Sequence, residues 1–323
     1  MANLKDIAKK ANVSIRTVAR VLNNHPHVAQ TKRDEVKRAI AELGYTPNLL
    51  AQALRTKKTN MIGILAGNLS TEVTSKKIAS LCVALNARGY RPVLGITYWQ
   101  DERVQQFISD FNQVCDGIIA VQYDLSQVCA DRISIPYISV DCGNAKVPSV
   151  MIDRSAGIRE AFTKLASRYD RYVFLTPSVQ PDEERRMAFT GSMKALKKDG
   201  TIITAPAEGA SGGYAAGDAV AAAALGSALV FCYSDKTAVG LMKRLYELNI
   251  KIPGTIGVVG FDDDDYARHM YVSLSTVSQS VDTVALRAAE MIAARIDGKE
   301  VSGMTVPTTF VERASTGVSI PVL

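Results

Sequence analysis

Histidine is scarce in this chain of 323 residues: only His25, His27 and His269 are present. Acid–base chemistry built on imidazole therefore has little to draw on. Five cysteines, Cys82, Cys115, Cys129, Cys142 and Cys232, are scattered with no Cys-x-x-Cys pair. Structural zinc sites need clustered ligands, so free thiols in a reducing compartment are expected instead. No apolar run approaches the length that crosses a bilayer. Met1 to Lys10 is polar and charged, unlike a secretory signal, and a cytoplasmic protein is expected. The chain has no phosphate-binding glycine loop ending in Lys-Ser/Thr and no His-Glu-x-x-His. Neither an enzyme nor a bound cofactor is expected. Val311 to Leu323 carries no heptad repeat, which favours a dimer over a tetramer held by an appended coiled coil.

Hydrophobic residues are plentiful at 47%, enough for a large core, and the length suggests two or three domains. Charge is unevenly spread. Residues 1–60 hold twelve Lys and Arg against four Asp and Glu, whereas residues 61–323 hold 26 basic against 28 acidic. A small basic head on a near-neutral body is the electrostatic footprint of a nucleic-acid-binding module.

The head has apolar periodicity as well as charge. Asn3 is a good N-cap with Asp6 in the first turn, and Leu4, Ile7, Ala8 and Ala11 form one helical stripe. Asn12 suits the left-handed conformation of a tight turn. Ser14 caps a second helix that faces inward through Val18, Val21 and Leu22. A third begins at a Thr31 cap, buries Val36, Ala39, Ile40 and Leu43, and ends at Gly44. This is helix-turn-helix geometry, with the second helix in the major groove. Arg16 or Arg20 suits guanine and Ile15 a thymine methyl, while Thr17, Thr31 and Lys32 suit phosphates.

Asn3-Leu-Lys-Asp-Ile-Ala-Lys-Lys-Ala-Asn-Val-Ser-Ile-Arg-Thr-Val-Ala-Arg-Val-Leu-Asn23, followed by Ala41-Glu-Leu-Gly-Tyr-Thr-Pro-Asn48, resembles the head of the lac and galactose repressor family. The resemblance extends DNA contact to Ser14 and Asn23. It also makes Asn48-Leu-Leu-Ala-Gln-Ala-Leu-Arg55 a hinge helix, with Asn48, Ala51 and Leu54 on the DNA and Leu54 wedged into the minor groove. Eight residues are too few for a stable isolated helix, so this segment is expected to fold only beside its twin on DNA. Two positions depart from the pattern: Asn12 stands where glycine is usual, and Ala19 where serine is usual.

From Asn60 short apolar runs alternate with helical stretches. The runs are Met61–Leu65, Pro92–Thr97, Gly117–Val121, Tyr137–Val140, Val150–Ile152, Tyr172–Leu175, Ile202–Thr204, Ala228–Tyr233 and Ile256–Phe261. Such alternation predicts parallel sheets covered on both faces, and so many strands suggest two doubly wound lobes. Ligands of such folds bind beyond the carboxyl ends of the strands, here in the cleft between lobes. The acidic run Asp262 to Asp265 reads as a solvated loop that partly caps the next turn.

Val230-Phe-Cys-Tyr-Ser-Asp-Lys-Thr-Ala-Val-Gly240, Ile252-Pro-Gly-Thr-Ile-Gly-Val-Val-Gly-Phe-Asp-Asp263 and Leu274-Ser-Thr-Val-Ser-Gln279 are similar, in order, to the periplasmic-binding-protein-like core of the same family. The implied organisation is an all-α helix-turn-helix head (1–46), a hinge (47–58), an N-terminal lobe (59–149 and 279–306) and a C-terminal lobe (150–278 and 307–323). The implied function is a repressor, a homodimer on an approximately palindromic operator, controlled by a small polar, sugar-like effector. Asp235, just past a strand, is the first candidate to accept hydrogen bonds from effector hydroxyls; Asn68, Gln122, Asp141 and Gln279 lie at or near other strand ends. The family's pocket arginine aligns on Ala188, so Arg185 or Arg186 is expected to substitute. Its aromatic pair after the first strand is replaced by Leu69-Ser-Thr-Glu-Val-Thr74, so a stacking surface is missing there. The alternative, a solute-binding or transport module, requires a signal peptide and no helix-turn-helix. An enzyme fused to a DNA-binding head requires a clustered nucleophile, base or metal set.

Overall fold

The computed structural model describes residues 2–22, 25–45, 58–125, 130–142, 147–177, 183–224 and 226–317. Two compact units, Met1–Thr59 and Asn60–Leu323, divide the chain.

In the first unit, α1 (Leu4–Lys10) opens on a capping box: the Asn3 side chain accepts from the backbone of Lys5 and Asp6, and Asp6 accepts from the Asn3 N–H at 2.8 Å. Asn12 adopts φ +48°, so the chain turns sharply into α2 (Ile15–Leu22). Ser14 Oγ accepts from Thr17 N at 3.1 Å and caps that helix. The third helix, α3 (Gln30–Glu42), begins one residue before the expected Thr31 cap, behind Ala29, which supplies no side-chain cap. Side-chain pairs support its first turns instead, Gln30 to Asp34 at 2.9 Å and Lys32 to Glu35 at 2.8 Å. Ile7, Val18 and Val36, one from each helix, are wholly buried at the centre.

The second unit alternates strand and helix. Its N-terminal part runs β1 (Met61–Ala66), α4 (Glu72–Asn86), β2 (Arg91–Ile96), α5 (Asp101–Val114), β3 (Gly117–Val121), β4 (Tyr137–Val140) and β5 (Ser149–Asp153). The next part runs α6 (Arg154–Leu165), β6 (Arg171–Thr176), α7 (Glu184–Leu196), β7 (Gly200–Thr204), α8 (Gly209–Ala215) and α9 (Gly217–Ala223). It continues through β8 (Ala228–Cys232), α10 (Asp235–Glu247), β9 (Ile256–Asp262) and β10 (Ser275–Ser278). The chain then returns through α11 (Val281–Ile296), β11 (Met304–Pro307) and β12 (Thr309–Val311).

Two six-stranded sheets result, in the orders β11-β5-β4-β3-β1-β2 and β12-β10-β9-β8-β6-β7. Every pairing is parallel except β10 with β12. Both sheets are covered on both faces, which explains why β3, β8 and β9 are buried along their whole length. The chain crosses between lobes after Asp153, after Ser278 and after Pro307. The first crossover falls later than the expected boundary at residue 150. The strand Ser149–Asp153 pairs with β4 and β11, and Val150 and Ile152 pack with Ile138 and Val140 of the first lobe. The third also falls later, because Pro307 still pairs with Asp153.

Candidate effector cleft and DNA-binding face

Strand ends from both sheets converge on one cavity of about 510 Å³. Asn68 follows β1, Trp99 follows β2, Gln122 follows β3, Tyr233 and Ser234 follow β8, Asp262 ends β9 and Asp264 follows it, and Gln279 follows β10. The placement is that of ligand sites in parallel α/β folds.

On the first-lobe side, Trp99 stands on a tight reversal in which Tyr98 and Trp99 both have positive φ. Tyr98 N donates to Gly67 O at 2.7 Å and holds the turn. Gly67 lets the indole lie against the turn, since a Cβ there would come within 2.2 Å of the ring. The Tyr123 ring backs the indole at 5.0 Å. On the same side Lys77 also lines the cavity, is only 2% exposed, and its Nζ meets Asp141 Oδ2 at 2.6 Å. Arg154 bridges Asp141 at 2.5 Å and Glu184 at 2.9 Å, and the Gln122 amide adds a bond to Asp141 at 3.3 Å. Burial alone would raise the Asp141 carboxyl, but Lys77 and Arg154 hold it below the usual carboxylate range. It is an ionised anchor for both cations.

The second-lobe side has the opposite character. Arg185 lies 3.5 Å above the Tyr233 ring, donates to Tyr233 O at 2.8 Å and pairs with Glu183 at 2.9 Å. Burial pushes the Asp262 carboxyl up to about 6, with Arg185 opposing and Asp264 reinforcing the shift. Asp262 Oδ1 accepts from Gln279 Nε2 at 2.6 Å. Asp264 Oδ1 and Gln279 Oε1 are buried and have no hydrogen-bond partner among the described residues. The lobes also meet directly: Lys76 Nζ donates to Asp263 O at 3.0 Å, and Asp265 N donates to Glu72 Oε1 at 2.7 Å.

Among the effector candidates read from the sequence, Asn68, Gln122, Arg185 and Gln279 line the cavity. Asp141 lies behind it in the Lys77–Arg154 network. Asp235 does not face the cavity. It is wholly buried, accepting from Thr276 Oγ1 at 2.6 Å and from Asp264 N at 2.9 Å. The start of α10 directs it under β9 and β10, into space left by Gly260, whose Cβ would lie 2.0 Å from Asp235 Oδ1. Asp235 therefore positions the loop that carries Asp264. Arg186 is outside the cavity lining, its backbone N–H bonded to Glu183. Ala188 packs in a separate groove with Phe162 and Met187. The acidic run is only partly solvated: Asp262 and Asp264 are buried, while Asp265 is exposed.

Sequence reasoning missed Lys77, Trp99, Arg154, Tyr233, Asp262 and Asp264 as cavity residues. Two carried a signal. Trp99 is the chain's one tryptophan, placed just past an apolar run, and Lys77 interrupts the buried stripe of Thr74, Ile78, Leu81 and Leu85.

A Gly-x-Ser-x-Gly pattern, the signature of a nucleophile elbow, occurs at Gly209-Ala210-Ser211-Gly212-Gly213. Its serine lies within α8, and the exposed hydroxyl donates to Glu208 O at 3.4 Å. Gly213 serves packing instead, since a Cβ there would lie 2.0 Å from Thr237 O of α10, and Gly209 takes φ +70° where the helix begins. Among the described residues no three His, Cys, Asp or Glu side chains form a metal-binding group. No described helix is long and apolar enough to cross a membrane.

In the head, Ser14, Ile15, Arg16, Arg20 and Thr31 are exposed and Thr17 is partly so. Arg16 and Arg20, one turn apart, share the outer face of α2, opposite buried Val18 and Val21. Asn23, Asn48, Ala51 and Leu54 lie outside the described residues.

A basic helix-turn-helix head joined to a two-lobed core with a polar cleft defines the class of ligand-controlled, DNA-binding transcriptional regulators. Residues 3–48 match the family described as bacterial regulatory proteins, lacI family, and residues 148–316 match the periplasmic binding protein-like domain. The chain belongs to the LacI family of bacterial regulatory proteins. It is 29% identical to the HTH-type transcriptional repressor PurR of Salmonella paratyphi B, over 98% of this chain and 97% of that protein. Its fold is similar to that of the lac repressor dimer bound to operator and the anti-inducer ONPF, with a TM-score of 0.80 at 22% identity, over 98% of this chain and 99% of the other. It is also similar to a CelR–cellobiose complex, with a TM-score of 0.65 at 21% identity, over 98% of this chain and all (100%) of the other.

Proposed function

We propose that this regulator is a cytoplasmic, homodimeric repressor whose hold on an approximately palindromic operator is set by a small sugar-like effector in the interlobe cleft. A two-fold dimer presents two copies of α2, and such a pair matches two half-sites. Arg16 and Arg20 supply base-edge contacts, with Ser14, Thr17 and Thr31 placed for phosphates. The observation that carries the effector reading is the cavity itself, about 510 Å³ and walled by strand ends of both lobes. Trp99 supplies an aromatic wall there, and Gln122, Asp262 and Gln279 supply polar groups suited to ligand hydroxyls. Arg185, rather than Arg186, takes the place of the family's pocket arginine. The bound cellobiose of the CelR complex supports a sugar as the effector class.

A thermal-shift screen of sugars, sugar phosphates, nucleosides and purines identifies the effector, because a ligand specific for the folded state raises the melting temperature. The hit is expected to change operator binding. Trp99→Ala is expected to weaken effector binding by about tenfold, roughly 1.4 kcal/mol. Unchanged effector affinity in that variant would move the site out of this cleft.

A further inference from the structure

Within the cleft, the unused hydrogen-bonding capacity is on acceptors. Asp264 Oδ1 and Gln279 Oε1 have no partner among the described residues, although their residues are 3% and 4% exposed. Asp262, 8% exposed, receives its one side-chain bond from the Gln279 amide. These three groups belong to adjacent strand ends, since β9 and β10 pair in register from Val259 with Ser275 to Asp262 with Ser278.

The cations of the wall are largely committed elsewhere. Lys77 is held by Asp141, Arg154 by Asp141 and Glu184, and Arg185 by Glu183. Lys236 acts on Asp264 only through its charge. The wall's own carboxylates, Glu72, Glu208, Asp262 and Asp264, equal its four cations in number, and behind them Asp141, Glu183 and Glu184 outnumber Lys76, which also acts on Asp264. The balance around the cavity is therefore negative. An organic ammonium complements that balance and can donate to several acceptors at once.

We propose that the effector is a sugar bearing a protonated amine, seated against Asp262, Asp264 and Gln279 with its ring toward Trp99. The inference rests on the reading of the cleft as the effector site. A neutral hydroxyl donates one hydrogen bond, whereas an ammonium donates three and carries the charge that buried carboxylates lack. The face of Trp99 adds to the preference, because an aromatic face attracts a cation.

The test is calorimetry on the full chain near neutral pH with three matched sets. D-glucosamine, D-galactosamine and D-mannosamine are each compared with the parent hexose and the N-acetyl derivative. At least one amine is expected to bind about tenfold or more tightly than both of its neutral partners. Asp262→Asn, which keeps an acceptor for Gln279, is expected to reduce that preference to about twofold or less. Gln279→Met provides a second variant, expected to weaken amine binding more than neutral-sugar binding. Equal or tighter binding of the neutral sugars overturns the amine assignment, and their sensitivity to Trp99→Ala would leave the cleft reading standing. An amine preference that persists in Asp262→Asn also overturns the proposed seat. Binding by none of the amines overturns the proposal outright, while a hit from the wider screen that needs Trp99 would again preserve the cleft.

Discussion

Asp141 and Asp262 are buried acids on opposite sides of one cleft, and folding treats their charges in opposite ways. Asp141 meets two cations, so its folded carboxyl lies below the ordinary range. Its contribution is present above the unfolded carboxylate pKa and is lost as pH falls through the folded value. Asp262, desolvated and beside Asp264, is raised to about 6. There the folded state holds a proton that the unfolded chain has released, so stability falls as pH rises from about 4 to about 6. Replacing Asp262 with Asn should therefore stabilise the ligand-free protein above about pH 6, by about 1–3 kcal/mol. The gain should vanish below about pH 4, where both states of the parent carry the proton. Urea unfolding of parent and variant across this range measures the difference. A difference independent of pH would mean that the Asp262 charge is not what destabilises the fold. The binding role proposed for Asp262 would account for such a cost to stability, the usual trade at a functional site.

Helices α8 and α10 show the same dependence on fit between whole elements. Gly213 of α8 faces Thr237 O, and Gly240 of α10 faces Ala210 O, where an added Cβ would come within 2.0 and 1.8 Å respectively. Both obstacles are backbone, which yields only if the helices separate. Gly240→Ala should cost about 3 kcal/mol or more, at the upper end of overpacking, and its melting temperature reads this directly. A loss below about 0.5 kcal/mol would show that the pair separates freely. This close packing was not legible in the sequence, where Gly213 also fits a catalytic motif. Strands β1 to β9 were legible as apolar runs, most of them buried in the sheets, whereas β10, β11 and β12, short and rich in Ser, Thr and Pro, were not. So was the turn at Asn12, whose side-chain type permits positive φ. Positions at strand ends were legible too, but side-chain direction was not. Asp235, one residue past the Ser234 cap, turns beneath β9, while Trp99 turns into the cavity. Lys77 looked like a break in an apolar stripe because its partner Asp141 is 64 residues away. The Thr31 cap failed because Ala29 precedes the first turn and side-chain pairs support it instead.

Charge is partitioned across the whole molecule in the same way as function. Residues 1–60 carry a formal excess of eight positive charges, and residues 61–323 an excess of two negative ones. Operator binding should therefore release counterions, with log affinity falling by about 0.9 per phosphate contact for each unit of log salt. Effector binding, in a buried cleft with its charges paired locally, should change little over the same range. Linkage then constrains the two sites together. If the effector changes operator affinity by some factor, operator DNA must change effector affinity by the same factor, about 5–150-fold for a typical coupling of 1–3 kcal/mol. Titrating operator with and without effector between about 50 and 200 mM salt separates two mechanisms. Parallel salt slopes with shifted intercepts are expected if the effector alters the fit of the paired heads while the phosphate contacts persist. A reduced slope would mean that bound effector lifts basic residues off the backbone. The reciprocal titration, effector into protein with and without operator, must return the same factor. A salt-insensitive operator affinity, or a substantial operator effect of the ligand with no effect of operator on the ligand, would rule out a cleft coupled to a basic DNA-reading head.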